Sequence, residues 1–180
     1  LGDPSLAVGP APEEVMWLSG GAAALVDATA TTGNRPWPRG STTFGDSGYT
    51  VCRTGRGDHL VFDTGPLGYL NGGHAHADAL SLTLTVAGRP LVVDPGTACY
   101  TIDPARRDRF RSTRLHNTAT LDGRAQSEPA GPFHWATAAS GSRQAWCTSA
   151  GFDYVEGTHD GYQPLAHRRA VFARPGCWIV

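Results

Sequence analysis

The segment Leu80-Ser81-Leu82-Thr83-Leu84-Thr85-Val86 constrains the fold more than any other, because its apolar and polar residues alternate without a break. Successive side chains of an extended chain point to opposite faces, so this run reads as a strand with one face in a core and the other wet. Ala87-Gly88-Arg89-Pro90 follows directly and suits a hairpin turn. Short apolar or alternating runs also cover residues 48–53, 60–63, 91–94, 118–121, 152–156 and 169–173, separated by Gly, Pro, Asp and Asn. With 23 Gly and 13 Pro punctuating the chain, this spacing predicts an all-β, antiparallel domain.

The 180 residues, 40% of them hydrophobic, suffice for one core and not for two large ones. Residues 10–27 form the one helix-like stretch, with Pro12, Glu13 and Glu14 near its start and Gly20-Gly21 interrupting it. Residues 28–40 turn to Thr, Gly, Pro and Arg, the composition of a linker. The expected division is a connector over 1–40 and a β domain over 41–180. The chain opens at Leu1 and stops within the apolar run Cys177-Trp178-Ile179-Val180, which reads as a strand cut partway in a piece of a longer protein.

A net charge of −1 excludes the basic field that steers proteins to nucleic acid or anionic membranes. All fifteen basic residues are Arg; codon bias explains this most simply, although Arg also suits bidentate contacts to carboxylate or sulfate. Cys52, Cys99, Cys147 and Cys177 form no CxxC pair, which argues against a zinc ribbon or redox motif and leaves one or two disulfides possible. No run of about 18 apolar residues suggests a membrane span.

Chemistry concentrates in Gly73-His74-Ala75-His76-Ala77-Asp78. An HxH pair on an extended segment turns both imidazoles to one side, as a metal or an anionic ligand requires, although surface His pairs are common. Asp94 ends an apolar strand, where a carboxylate needs a partner, and Pro95-Gly96 turns the chain beyond it. A turn-forming Asp is the simpler reading of that residue. His116, between Leu115 and Asn117, reads equally as a ligand or a hydrogen-bonded core histidine. Arg111 could clamp a substrate carboxylate or sulfate, or pair with Asp108 or Asp103. Gln126 and His134 could line a cleft or simply serve turns and packing. His59, His159 and His167 sit in no motif.

Five stretches in one frame, Phe44-Gly45-Asp46-Ser47-Gly48, GHAHADALSL from Gly73, GRPLVVDPGT from Gly88, FRSTRLHNT from Phe110 and DGRAQSEPAGPFHW from Asp122, resemble the heparinase II/III-like polysaccharide lyases. The similarity continues more weakly to His167-Arg168-Arg169. The resemblance implies an antiparallel β-sandwich of the supersandwich kind, preceded in the family by an α/α toroid, with the active site in the cleft between them. It also implies His74 as the residue facing substrate, and His76, Asp94 and His116 as ligands of a structural Zn²⁺, a set that ligand chemistry accommodates with a fourth group.

The reaction so implied is β-elimination on a uronic acid residue of an acidic, glycosaminoglycan- or alginate-like polysaccharide. The principal catalytic Tyr and a carboxylate-binding group would lie on the toroid, so this chain alone is expected to be inactive, and the family's setting is periplasmic or secreted. Tyr100, beyond the DPGT turn, is a candidate second proton donor, with packing of its ring the alternative. The family often has another Tyr where Ala98 stands, which weakens any carry-over of an aromatic acid at this turn. Two rivals come from other classes. A cupin-like metalloprotein would place a Glu a few residues after HxH, where Ala79-Leu80-Ser81-Leu82 stands here. A non-catalytic carbohydrate-binding sandwich stabilised by metal is the other.

Overall fold

The computed structural model describes residues 40–55 and 57–180, so the helix-like stretch at 10–27 and almost all of the expected connector lie outside the described residues. The first sheet is five-stranded and antiparallel: β1 (Thr42–Thr43), β2 (Tyr49–Gly55), β3 (Asp58–Asp63), β4 (Leu82–Val86) and β5 (Arg89–Val92) lie side by side in chain order. The second is four-stranded, with β8 (Gly141–Thr148), β9 (Asp153–His159), β10 (His167–Arg174) and β11 (Cys177–Ile179) arranged as β11-β10-β9-β8. A separate hairpin of β6 (Glu128–Gly131) and β7 (His134–Thr137) belongs to neither sheet. Helix α1 (Pro104–Phe110) and a 3-10 turn (Thr113–Leu115) bridge the two halves of the chain.

Alternation explains the layering. Cys52, Leu60, Leu84 and Val92 are cross-strand neighbours from β2 to β5, and Trp146, Val155 and Val171 are neighbours from β8 to β10. The inward residues Cys52, Leu60, Phe62, Leu80, Leu82, Val155, Val171 and Ala173 form one buried cluster, which makes the two sheets the layers of a sandwich. Each large apolar side chain so buried contributes about 1.5–3 kcal/mol. Gly157 permits the close approach: a Cβ there would stand 2.6 Å from Thr64 Cγ2 and 2.7 Å from Leu80 Cδ2.

Several elements differ from the sequence reading. The alternation starting at Leu80 enters the sheet only at Leu82, because Leu80 has a left-handed backbone (φ 60°) and turns the chain. Residues 118–121 form no strand; Leu121 bridges only to Arg124 around the left-handed Asp122-Gly123 turn. Helix α1 was legible but not anticipated: Asp103 caps it by accepting from the Arg106 N–H at 3.0 Å, and Pro104 opens its first turn. All four cysteines are free. No described helix is long and apolar enough to cross a membrane.

The β9–β10 hairpin closes on a histidine pair. His159 Nδ1 accepts from the Gly161 N–H at 3.1 Å, so its proton sits on Nε2, which donates to His167 Nδ1 at 2.8 Å. Burial, then the neighbouring His167, lowers the His159 pKa from 6.5 to about 4. A base with a depressed folded pKa favours the folded state above its unfolded pKa and loses that contribution on acidification. Between pH 6.5 and about 4 the hairpin should lose on the order of 2 kcal/mol of local stability. Hydrogen exchange of peptides spanning 153–174 should speed up across that window, and His159→Gln should flatten the dependence.

Candidate metal centre

Three backbone-anchored segments build the site. The loop after β3 carries the HxH motif, and the Ala77 backbone fastens it: its N–H donates to Arg111 O at 2.9 Å and its carbonyl accepts from Thr113 Oγ1 at 2.7 Å. This brings His76 to the 3-10 turn that ends at His116. Asn117 Nδ2 then donates to Val93 O at 2.7 Å and draws His116 to the end of β5, where Asp94 lies. Leu80, buried in its left-handed conformation, donates to Asp63 O at 2.9 Å and closes the loop on the sheet.

The result is a compact His76, Asp94, His116 cluster whose candidate ligand atoms lie within 4.8 Å of one another. His116 Nδ1 lies 2.6 Å from Asp94 Oδ2, the His76 and His116 ring centroids are 4.9 Å apart, and His76 Nε2 is 3.0 Å from Thr97 Oγ1. His116 Nε2 is buried without a partner. Two imidazoles, one of them with an orphaned buried nitrogen, and one carboxylate fit a divalent ion of zinc type, with a fourth position left for water or another group.

The two imidazoles of the cluster carry opposite shifts. Burial, then repulsion from His116, lowers the His76 pKa to about 4, so the ring is neutral at neutral pH and one of its nitrogens offers a lone pair. For His116, burial disfavours the cation but is outweighed by the Asp94 hydrogen bond and the nearby Asp78, and its pKa rises. Burial likewise pushes Asp94 upward, but the His116 contact and the Gly96 N–H prevail and hold it below the ordinary carboxylate range. Asp78 is a half-buried acid beside this cluster, raised to about 7 by desolvation and then by the Asp63 charge.

The two rings of HxH do not act together. The motif lies in a turn rather than a strand, and His74 joins a different cluster. Its ring is exposed, edge-on to Tyr100 at 5.5 Å and 5.5 Å from Phe133, while Tyr100 and Phe133 stack at 6.0 Å. Tyr100 is 46% exposed, which leaves its ring partly open to a ligand. An imidazole and a phenol thus meet at the surface beside the ligand cluster.

The sequence reads Arg111 equally as a substrate clamp or a partner of Asp108 or Asp103, and its described contacts are internal. It is 4% exposed, donates from Nη1 to Gly131 O at 2.9 Å and Pro132 O at 2.8 Å, and lies over the Trp135 ring at 4.2 Å. Asp108 stands 3.9 Å from Nη1. Gln126 is also buried, with Nε2 donating to Ala79 O at 3.0 Å, whereas His134 is exposed on β7. The sequence reading passed over Thr97, Phe133 and Trp135. All three lie inside the quoted motifs, which was the available signal.

Comparison with known proteins accords with this architecture. The profile of the heparinase II/III-like, C-terminal family matches residues 36–180. Among solved structures, a heparan sulfate lyase, HepC from Pedobacter heparinus, superposes with a TM-score of 0.64 at 23% identity, covering 90% of this chain and 24% of that one. One heparinase III structure gives a TM-score of 0.62 at 22% identity over 89% of this chain and 25% of its own, and another gives 0.58 at 22% over 79% and 22%. The chain therefore spans about a quarter of the length of these neighbours. No curated protein matches it. A family profile covering four-fifths of the chain, on a sandwich shared with these lyases, places the protein in the heparinase II/III-like, C-terminal family.

Proposed function

We propose that this domain forms one wall of a polysaccharide lyase active site, acting on uronic acid-containing polymers of the glycosaminoglycan or alginate kind. The observation that carries the reading is the division of labour within HxH: His76 is held in a three-ligand cluster, and His74 stands exposed against Tyr100. In β-elimination a base takes the C5 proton of the uronate, the electron pair forms the C4=C5 double bond, the bond from C4 to the linking oxygen breaks, and that oxygen receives a proton. His74 is placed to neutralise the carboxylate or take the C5 proton, and Tyr100 to deliver a proton to the leaving oxygen. The principal Tyr and a carboxylate-binding group would come from a preceding toroid of the same chain. Tyr69, Leu70 and Ile102, 85, 85 and 89% exposed on the loops flanking His74 and Tyr100, give the apolar surface such a partner would cover.

His76, Asp94 and His116 would hold Zn²⁺ in a structural role, fixing the loop that presents His74. When bound, the ion supplies a rigid positive anchor to three side chains from separate segments. The residues of the chain itself do the rest: they orient His74 and carry protons.

The test is an assay on the full-length protein against a panel of uronate polymers, following the absorbance of the new double bond conjugated to the carboxylate. Product is expected, with His74→Ala reducing the rate by about 10²–10⁴-fold, the usual contribution of a positioned acid or base. Tyr100→Phe should lower the rate as well. Wild-type rates in His74→Ala would remove its assignment. Retention of polymer without any product would favour a binding module.

A further inference from the structure

We infer that the β6–β7 hairpin sets the orientation of His74 and Tyr100, and that Arg111 is the positioning residue that clamps this hairpin in place. The inference rests on the reading above that His74 and Tyr100 flank the reacting sugar. A two-stranded hairpin is marginal by itself in water. This one belongs to neither sheet, and its register slips between Glu128 and Pro129 and again between Pro129 and Gly131. Its position must therefore come from contacts outside its own ladder.

Those contacts converge on the loop that carries HxH. Arg111 Nη1 donates to the carbonyls of Gly131 and Pro132, the corner of the hairpin, and its guanidinium lies over the Trp135 ring. Trp135 Nε1 donates to Gly72 O at 2.8 Å. Gly72 has a left-handed backbone (φ 64°), and a Cβ there would meet Leu67 O at 2.8 Å and Trp135 Cδ1 at 3.3 Å, so the indole needs this glycine. A Cβ on Gly73 would stand 3.6 Å from Phe133 Cβ, which places the hairpin tip against the residue before His74. Phe133 then packs on both His74 and Tyr100.

Arg111 is itself fixed at both ends. Its N–H caps α1 by donating to Arg107 O at 3.0 Å, and its carbonyl accepts from the Ala77 N–H at 2.9 Å. One residue thus ties the helix end, the HxH segment and the hairpin. Its burial, its engagement with backbone carbonyls and its stacking on Trp135 give this Arg a role without contact to substrate: Lys could supply the charge but not the planar face over the indole.

The full-length enzyme carrying Phe133→Ala, Phe133→Tyr, Arg111→Lys, Trp135→Phe and the Arg111→Lys/Phe133→Ala pair tests this. A misplacement of His74 should appear in kcat, so Phe133→Ala is expected to lower kcat by about tenfold or more with KM within about twofold, and Phe133→Tyr to restore most of it. If Arg111 acts through the hairpin, the double variant should lose little beyond its worse single variant. Additive losses would overturn the clamp, as would a rise in KM at unchanged kcat for Arg111→Lys, which marks direct substrate binding.

A second readout does not depend on lyase activity. In protein labelled with ¹³C-histidine, the His74 ring resonances, assigned with His74→Ala, lose the ring-current influence of Phe133. They should move in Phe133→Ala, Arg111→Lys and Trp135→Phe while those of His59 stay in place. Should the wild-type enzyme cleave no uronate polymer, the lyase reading fails and this shift alone decides the inference. A His74 signal unmoved in all three variants overturns it.

Discussion

The full-length protein is expected to bind one equivalent of zinc per chain in this domain, and His76→Ala or His116→Ala should abolish stoichiometric binding. The argument is geometric before it is chemical. Each donor comes from a different segment, and hydrogen bonds to backbone groups tie the segments together: the Ala77 N–H to Arg111 O, Thr113 Oγ1 to Ala77 O, and Asn117 Nδ2 to Val93 O. The donors are therefore brought together before an ion arrives, and removing one imidazole deletes a ligand without dispersing the others. Loss of an outer partner of a ligand commonly weakens metal binding by about 10–100-fold, so loss of a ligand should exceed about 100-fold. Asp94→Asn, which keeps the shape and removes the charge, should also fall below stoichiometric occupancy. Thr97→Val, which removes the hydroxyl 3.0 Å from His76 Nε2, should cost less. At a hundredfold excess over its Kd the ion adds about 2.7 kcal/mol to the folded state. Chelation should therefore accelerate hydrogen exchange in the 74–81 and 111–118 peptides of the wild type and change nothing in His116→Ala. His59→Ala, on β3 and outside the cluster, is the control. Elemental analysis that finds undiminished zinc in both His76→Ala and His116→Ala would remove the ligand assignment.

The sequence discloses the site's chemistry better than its mechanics. Strands β2, β3, β4, β9 and β10 follow from local apolar runs, and the β4–β5 turn follows from Ala87-Gly88, whose φ values of 50° and 74° meet the two positive angles that a tight hairpin needs. The grouping of His76, Asp94 and His116 was legible through the resemblance of the surrounding motifs to a known family; the residues by themselves left Asp94 as a turn former and His116 as either a ligand or a core histidine. What stayed hidden depends on non-local bonds. Nothing in Leu80 announces a left-handed residue; that conformation exists because its N–H meets Asp63 and its side chain fills the core. Glu128-Pro129-Ala130-Gly131-Pro132 does not read as a strand, since proline removes donors from a ladder. Its pairing with β7 is correspondingly irregular and held from outside. Arg111 reads from the sequence equally as an anion clamp or as a partner of Asp108 or Asp103, and neither reading anticipates its hydrogen bonds to carbonyls twenty and more positions away.

Arg169→Met is expected to loosen both histidine-bearing loops at once, although Arg169 belongs to the opposite sheet and is not a ligand. From β10 its Nη1 donates to Leu80 O at 2.8 Å and to Asn117 O at 2.6 Å. Leu80 closes the HxH loop and Asn117 immediately follows His116, so one guanidinium nitrogen joins the segments that supply His76 and His116. Burial lowers the Arg169 pKa, yet an arginine stays protonated, so the desolvated cation has to be offset by these carbonyls. Methionine preserves much of the volume and leaves both carbonyls unpaired, at about 1–3 kcal/mol each where water cannot replace the donor. It also removes one of the bonds that hold Leu80 at φ 60°, a conformation costing on the order of 1 kcal/mol for a side chain of this type. Zinc affinity should fall by about 10–100-fold, as for other groups that position ligands without touching the ion. Hydrogen exchange should rise together in the 74–81 and 111–118 peptides. Arg169→Lys should fall between, because the ammonium keeps a charge and donors but sits on a shorter, differently shaped side chain that does not reproduce the position from which Nη1 meets both carbonyls. If zinc affinity and exchange in Arg169→Met match the wild type, the two loops hold their ligands without the second sheet, and the sandwich does not build the site in the way these two hydrogen bonds require.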